Sequence, residues 1–155
     1  MRLTRYALLA ATLLALPIAN AQAQDDAAHL AYRQKVMQSI GANSGAIGDI
    51  LKNKLPLQAN IATHARALRE ASTLIESAFK KEIATGRTDA KAEIWKKWPK
   101  YVAAAKKMTD ASSALVAAAE GGDAEAIGAA MKEVGGSCGN CHKPYRKAKE
   151  ERCER

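Results

Sequence analysis

The stretch GGSCGNCHKPYR, from Gly135 to Arg146, holds two cysteines in a C-x-x-C pattern and a histidine directly after the second. Cys138, Cys141 and His142 are spaced i, i+3 and i+4, so on a helix their side chains share one face. Two thiols there can add across the two vinyl groups of a haem, and the adjacent imidazole can reach the iron from the same side. C-x-x-C-H is the attachment signature of c-type haem. The stretch therefore predicts one covalently attached haem c.

Three other interpretations of the cysteine pair compete with haem attachment. A thioredoxin-like dithiol belongs in a βαβ context, and a zinc site takes four protein ligands or three with a water. A disulfide between Cys138 and Cys141, as in a helical binding module without haem, has no use for His142. The other histidines, His29 and His64, are far away in sequence. We therefore favour haem over dithiol, disulfide or another metal.

Around the motif, apolar residues recur at helical intervals, and the pattern predicts a helix that begins near Ala124 with Asp123 as N-cap. Similar patterns predict helices over about residues 25–53, 57–85 and 99–120, with a short helical turn at 92–99. Pro99 suits the first turn of a helix, and Gly86 a helix stop. The sequence thus predicts an all-α fold, an antiparallel up-and-down four-helix bundle with the haem on the last helix.

The patterns also predict which residues face the interior of the bundle. They are Leu30, Met37, Ile40, Ser44, Ile47 and Leu51 in the first helix; Ile61, Leu68, Ile75 and Phe79 in the second; Tyr101, Ala105, Met108, Ser112, Leu115 and Ala119 in the third; and Ile127, Met131, Val134, Cys138, Cys141, His142 and Tyr145 in the last.

The first 23 residues have the composition of a secretory signal peptide. A basic start is followed by the apolar run ALLAATLLAL, from Ala7 to Leu16, and by the small residues AQA, from Ala21 to Ala23. We predict cleavage after Ala23 and an exported, periplasmic domain of residues 24–155. The apolar run is short for a bilayer span, and no run in the mature chain is long enough to cross one. In an oxidising compartment we expect the odd cysteine, Cys153, to be an exposed thiol, with an intermolecular disulfide as the alternative.

The chain is basic, with 24 Lys and Arg against 16 Asp and Glu and a formal net charge of +8. A basic surface favours docking of an acidic redox partner, although charges scattered along helices also suit an ordinary solvated face. Export argues against nucleic acid as a partner. No constellation of catalytic acid, base and nucleophile is evident, so we do not expect an enzyme.

Three landmarks carry a family resemblance: YRQ from Tyr32 to Gln34, EIW from Glu93 to Trp95, and CGNCHKPYR from Cys138 to Arg146. In these stretches the chain resembles cytochrome c′ and its relatives, the class II c-type cytochromes, across essentially the whole mature chain. The resemblance implies periplasmic electron transfer or gas binding through a covalent haem, often in a homodimer.

The resemblance also implies two alternatives for the iron. The low-spin branch takes a methionine of the first helix as a second ligand, and Met37, in RQKVMQSIG from Arg33 to Gly41, stands where that branch keeps it. His142 and Met37 would then be the axial ligands of a single-electron carrier. The alternative is a high-spin, five-coordinate iron that binds NO or CO, with Met37 serving only as core packing.

By the same resemblance, Arg33 and Gln34 lie near a haem propionate, whose carboxylate suits a guanidinium in charge and geometry. Arg146, four residues after His142, is expected to cover the proximal haem edge. Further expected neighbours, which core packing would explain nearly as well, are Phe79, Trp95, Tyr101 and Tyr145.

Overall fold

The computed structural model describes residues 16–148, with side chains from residue 23 onward. The helices of this part of the chain are α1 Leu16–Lys52, α2 Gln58–Thr73, α3 Ile75–Phe79, α4 Glu93–Lys96, α5 Trp98–Gly121 and α6 Ala124–Tyr145. Between residues 16 and 148 no strand forms, and β-pairing is limited to one isolated bridge between Ala90 and Arg146. The long helices α1, α2, α5 and α6 run up and down in turn and pack together, which confirms the predicted four-helix bundle.

All four long helices contribute to the hydrophobic core. Ile47 of α1, Leu68 of α2, Leu115 of α5 and Val134 of α6 are fully buried. Burying a side chain of this size stabilises the fold by about 1.5–3 kcal/mol. The residues predicted to face inward in the second and third helices are buried, except that Ala119 is partly exposed, so those two stripes were assigned correctly.

The predicted stripe of α1 is rotated from the one observed, and the helix begins at Leu16 rather than at residue 25. Ile40 and Ile47 are buried as predicted, but Leu30, Met37, Ser44 and Leu51 are only half-buried. Arg33, Val36 and Ile50 complete the buried face instead. The physical reason is that α1 packs mainly against α2 and only slightly against α6, so one flank of the predicted stripe stays partly open.

The second predicted helix is shorter than its pattern indicated. It was expected to continue to Thr85, but α2 is interrupted at Leu74 and α3 ends at Phe79. The hydroxyls of Ser72 and Thr73 donate to backbone carbonyls three residues earlier. Such local bonds compete with the regular helix ladder, and they precede the interruption at Leu74.

Residues 80–92 form a connecting segment that is fastened to the end of α6. The backbone N–H of Lys91 donates to the carbonyl of Tyr145 at 3.0 Å, and that of Lys147 donates to the carbonyl of Asp89 at 2.8 Å. Gly86 adopts a φ of 74°, so it makes a turn within this segment instead of ending a helix. In a helix that continued to residue 85, backbone groups that this segment uses to bond distant partners would instead be hydrogen-bonded within the helix.

The ends of α5 and α6 follow the predicted local signals. Pro99 lies in the first turn of α5, and Gly122 ends that helix in the left-handed conformation with a φ of 73°. Asp123 then caps α6, because its carboxylate accepts the backbone N–H of Glu125 at 2.9 Å. The start of the helix that carries the C-x-x-C-H motif is therefore fixed by its own sequence.

The predicted signal peptide, residues 1–23, falls largely outside the described part of the chain. Helix α1 runs through Ala23, and cleavage after that residue stays a prediction. Cys153 also lies outside the described residues. None of the helices within 16–148 has the length and apolar character needed to cross a membrane.

Candidate functional site

The two motif cysteines lie half-buried near the end of α6 and are not joined in a disulfide. Burial, with a smaller contribution from the neighbouring Cys138, raises the pKa of the Cys141 thiol to about 11. Burial also raises the pKa of Cys138. A redox dithiol needs a cysteine whose pKa is lowered, so that a thiolate is present near neutral pH. The local environment therefore argues against the dithiol interpretation.

Cys138 has a sulfur neighbour on α5 that the sequence pattern did not reveal. The Sδ atom of the buried Met108 lies 3.8 Å from the Sγ atom of Cys138 and accepts a hydrogen bond from Ser137 Oγ at 3.0 Å. The helical pattern predicted that Met108 faces inward, but not the relative register of α5 and α6. These contacts fix the first cysteine against the bundle.

His142 is exposed, although it was predicted to face inward. The physical reason is that consecutive helical residues point about 100° apart, so His142 turns away from the half-buried Cys141. It shares the outer face with Gly139, Lys143 and Arg146, which line an open groove of about 440 Å³ together with residues 91, 147 and 148. Within residues 16–148 no three His, Cys, Asp or Glu side chains converge to hold a metal ion.

Arg33 is a buried cation, only 3 % exposed, in the middle of α1. Its Nη2 atom donates to the carbonyl of Ile83 at 2.9 Å and, more weakly, to Thr88 Oγ1 at 3.4 Å. Its Nη1 atom is buried and has no hydrogen-bond partner among residues 16–148. Burial lowers the pKa of the guanidinium. A buried charge with an unused donor is costly unless an anion pairs with it.

Two aromatic rings hold the Arg33 guanidinium in place. Its central carbon lies 4.9 Å from the ring centroid of Phe79 and 5.5 Å from that of Trp95. Trp95 is itself fixed, because its Nε1 donates to the carbonyl of Phe79 at 2.8 Å. Phe79 and Trp95 were predicted as haem or core neighbours, and the structure brings both together with Arg33. Nothing in the helical pattern indicated that Ile83 and Thr88 would join them.

Tyr101 is the centre of an aromatic cluster that adjoins the cysteines. Its ring centroid lies 5.4 Å from that of Phe79, 5.6 Å from that of Trp98 and 5.3 Å from that of Tyr145. Burial, followed by the proximity of Cys141, raises the pKa of its phenol well above the ordinary value. The cluster links α3, α5 and α6 into one apolar wall beside the motif.

The remaining candidates lie further from this wall or on its border. Gln34 is exposed and donates to the carbonyl of Arg87 at 3.0 Å. His64 pairs with the side chain of Asn43 at 3.0 Å, which accounts for its partly exposed imidazole without a cofactor. Met37 is half-buried and packs against the hydrophobic core on the flank of α1.

These residues meet the chemical requirements of a haem c. The cofactor needs two thiols and an imidazole on one helix, which α6 carries, and cations for its two carboxylates. The unused, buried Nη1 donor of Arg33 is the observation that fits a carboxylate group. The apolar wall around Tyr101 suits the face of a macrocycle, so the residues present fit the group.

The chain is similar to known proteins over most of its length. A family model described as Cytochrome C′ matches residues 28–146. The cytochrome c′ of Rhodospirillum rubrum is 39% identical over 127 residues, which cover 81% of this chain and 86% of that protein. The solved structure of cytochrome c′ from Rubrivivax gelatinosus is 30% identical, with a TM-score of 0.70, and covers 77% of this chain and 94% of that one.

A second solved structure is similar to the same extent. It is a nitric oxide complex of a variant of cytochrome c prime from Alcaligenes xylosoxidans, 30% identical, with a TM-score of 0.72. The match covers 79% of this chain and 97% of that one. Because the family model and these relatives span most of the sequence, the chain belongs to the cytochrome c′ family, whose members carry a covalently attached haem c with iron.

Proposed function

We propose that Cys138 and Cys141 form the two thioether links to the haem and that His142 ligates its iron. The proposal is supported by the C-x-x-C-H spacing inside the family match and by two half-buried thiols on one helix that are not joined in a disulfide. We assign Arg33 to a propionate carboxylate, where its buried Nη1 atom gains a partner that the described part of the chain does not provide. Phe79 and Trp95 orient the guanidinium, and Arg146 lies beside His142 at the groove.

The best-supported function is binding of a diatomic gas, NO or CO, at the iron of the haem that this chain would hold. The observation that carries it is the similarity, over most of the chain, to a cytochrome c prime solved as a nitric oxide complex. When bound, the haem supplies an iron that changes by one electron and can take such a gas as a ligand. The role of the chain is to hold the cofactor, to ligate it from α6 and to exclude water with apolar side chains.

A second candidate function is a single-electron carrier in which Met37 also ligates the iron. One observation favours it: a thioether lies half-buried on α1, next to the buried Val36 and near Ile40, on the flank that α6 leaves partly open. Two protein ligands would keep the coordination nearly unchanged between the oxidation states, which suits electron transfer. Core packing by a flexible methionine is the simpler account of the same observation.

Optical spectra of the purified protein decide between the two functions. For gas binding we expect a high-spin ferric spectrum, rapid CO binding to the ferrous protein, and no change of spin state on Met37→Leu. For Met37 ligation we expect a low-spin spectrum that becomes high-spin in Met37→Leu. Met131→Leu, at another half-buried methionine, is the matched control. A low-spin wild type that fails to bind CO contradicts the gas-binding proposal.

Covalent attachment is tested separately. We expect haem to remain with the protein after acid–acetone extraction and to give a c-type spectrum in alkaline pyridine. Replacing both Cys138 and Cys141 with serine should remove the links. The control substitution Ser137→Ala, next to the first cysteine, should leave them intact. Haem that is extracted from the wild-type chain would refute the assignment of the two cysteines.

We also propose export to the periplasm and, by family resemblance, redox partner proteins and a homodimer. The leader pattern of residues 1–23 supports export. Mass spectrometry of the secreted protein should give a mature chain that begins at Gln24. A mature mass that retains the apolar run from Ala7 to Leu16 contradicts the predicted cleavage.

A further inference from the structure

Charged side chains are divided unequally between the two ends of the bundle. Segments 25–35, 80–100 and 141–148, which we call the His142 end, contain twelve basic and five acidic residues, and Lys81 pairs with Asp25 and Asp26 across this end. Their proximity follows from the hydrogen bond between Lys91 and Tyr145 at 3.0 Å and from the ring contact of Tyr101 with Tyr145 at 5.3 Å. Segments 49–58 and 118–128, which we call the opposite end, contain two basic and four acidic residues. The molecule is therefore strongly polarised along the bundle axis.

The positive charge of the His142 end is accessible. Lys97, Lys100 and Lys143 come from the start of α5 and the end of α6, and all three are exposed. None of the three forms an ion pair within residues 16–148. The acids of this end are partly engaged: the Asp89 carboxylate lies 3.4 Å from Arg146. The residues after Ala148 add three basic and three acidic side chains, so their side chains do not reverse the balance.

We propose that the His142 end is the docking surface for an acidic redox protein. The inference rests on the covalent haem and the redox partner proteins proposed above, because it concerns electron exchange with the haem-loaded chain, and it holds whether or not the iron also binds a gas. The groove that contains His142 opens at this end, so the basic side chains surround the helix terminus to which the haem is assigned. A basic surface attracts an acidic protein over a long range and orients it before contact. The acidic opposite end repels the same partner and so disfavours the reverse orientation.

The distribution of the charges favours a protein over a small anion. The exposed lysines come from separate elements and surround the groove, whereas a small anion is held by a few donors that converge on one point. An anionic membrane is the other surface of suitable size, and it is an outcome of the test below.

The test measures the reduction of the ferric holoprotein by a reduced plant-type [2Fe–2S] ferredoxin, used as an acidic protein donor. One electron passes from the iron–sulfur cluster to the haem iron, so the ferredoxin is oxidised and the haem becomes ferrous. Stopped-flow absorbance gives the second-order rate constant at ionic strengths of about 10 mM and about 200 mM, which differ widely in screening length. Photogenerated riboflavin semiquinone, a radical that is uncharged at neutral pH and donates one electron, reports the intrinsic reactivity of the haem.

Two triple variants with the same change of charge are compared, after circular dichroism shows that both are folded. The first reverses charges at the His142 end: Lys97→Glu, Lys100→Glu and Lys143→Glu. The second reverses charges towards the opposite end: Lys52→Glu, Lys54→Glu and Lys132→Glu. All six lysines are exposed.

We expect the wild-type rate with ferredoxin to fall by at least about tenfold between the low and the high ionic strength. At low ionic strength the first variant should be about tenfold slower than the wild type, and the second should differ by less than about twofold. The rates with riboflavin should be the same for all three proteins.

Several results would overturn the inference. Equal losses of the ferredoxin rate in the two triple variants would mean that the net charge of the protein sets the rate, and not the charges of the His142 end. A salt-independent ferredoxin rate combined with co-sedimentation on phosphatidylglycerol vesicles would assign the face to a membrane. A haem-loaded protein that riboflavin reduces normally, but whose reduction by ferredoxin is independent of salt, contradicts this inference alone. A chain without covalent haem contradicts the proposed function as well.

Discussion

Replacing Arg33 with methionine tests whether this buried cation holds an anion of the cofactor. In the chain alone, the bond from Nη2 to Ile83 contributes about 1.5–3 kcal/mol, as a hydrogen bond to a charged group. The contacts with the rings of Phe79 and Trp95 contribute about 0.5–1 kcal/mol each. Removing a buried, incompletely paired cation recovers several kcal/mol of desolvation, so these effects nearly cancel.

The balance changes when a carboxylate pairs with Nη1. The substitution then leaves a buried carboxylate without its partner, which costs about 3–5 kcal/mol. We therefore expect the free energy of unfolding of the holoprotein to fall by that amount in Arg33→Met. Arg33→Lys should lose less unfolding free energy, because lysine keeps the positive charge. It should still lose some, because lysine lacks the planar fork of donors.

Urea unfolding of the holoprotein, followed by circular dichroism and by the haem absorbance, measures the effect. Arg66→Met is the matched control, since Arg66 forms an exposed ion pair with Glu120 at 2.9 Å and should contribute at most about 1 kcal/mol. Losing Arg33 also removes a positive charge near the iron, so the midpoint potential should fall. A destabilisation in Arg33→Met no larger than that in Arg66→Met would refute the pairing with an anion.

Three further predictions concern the helices and the thiols. Asp123→Ala removes the cap of α6 and should lower the free energy of unfolding by about 1 kcal/mol in urea titrations; an unchanged midpoint would contradict the capping role. Leu68→Ala leaves a cavity in the core and should cost about 2–5 kcal/mol, whereas Leu57→Ala, at an exposed leucine, should cost less than about 0.5 kcal/mol. In the chain before haem attachment, alkylation of Cys141 should be slow at neutral pH and accelerate up to about pH 11, because burial holds the thiol protonated. The same raised pKa means that the stability contributed by the protonated Cys141 thiol is complete below its unfolded pKa and is lost as the pH rises towards 11. An alkylation rate that levels off near pH 8 would exclude the raised pKa.

Features determined by neighbouring residues could be predicted from the sequence. Asp123 caps the helix that begins at Ala124, and Pro99 starts α5, because caps and first turns depend on residues a few positions apart. The stripes of α2 and α5 were correct for the same reason, since a regular helix places every third or fourth residue on one side. The placing of Cys138 and Cys141 on one helix could be predicted for the same reason, because it depends only on residues three positions apart.

Features determined by distant partners could not be predicted. The helix expected to reach Thr85 ends earlier, because residues 80–92 bond to α1 and to the end of α6. Arg33 is buried because rings from α3 and α4 enclose it, and the heptad pattern of α1 contains no information about those elements. His142 is exposed because the packing of α6 against α5 sets which side of the helix faces out.

The fastening of residues 80–92 to the end of α6 has a consequence for sequence variation. Both bonds described there are made by backbone atoms, from the N–H groups of Lys91 and Lys147. These two bonds survive a change of either side chain, although the side chain of Lys147 adds a bond of its own, from Nζ to the carbonyl of Thr88 at 3.0 Å. Proline is the exception, because it has no N–H to donate. We expect a proline at residue 91 or residue 147 to be rare among natural sequences of this length and pattern, even where every other substitution is accepted.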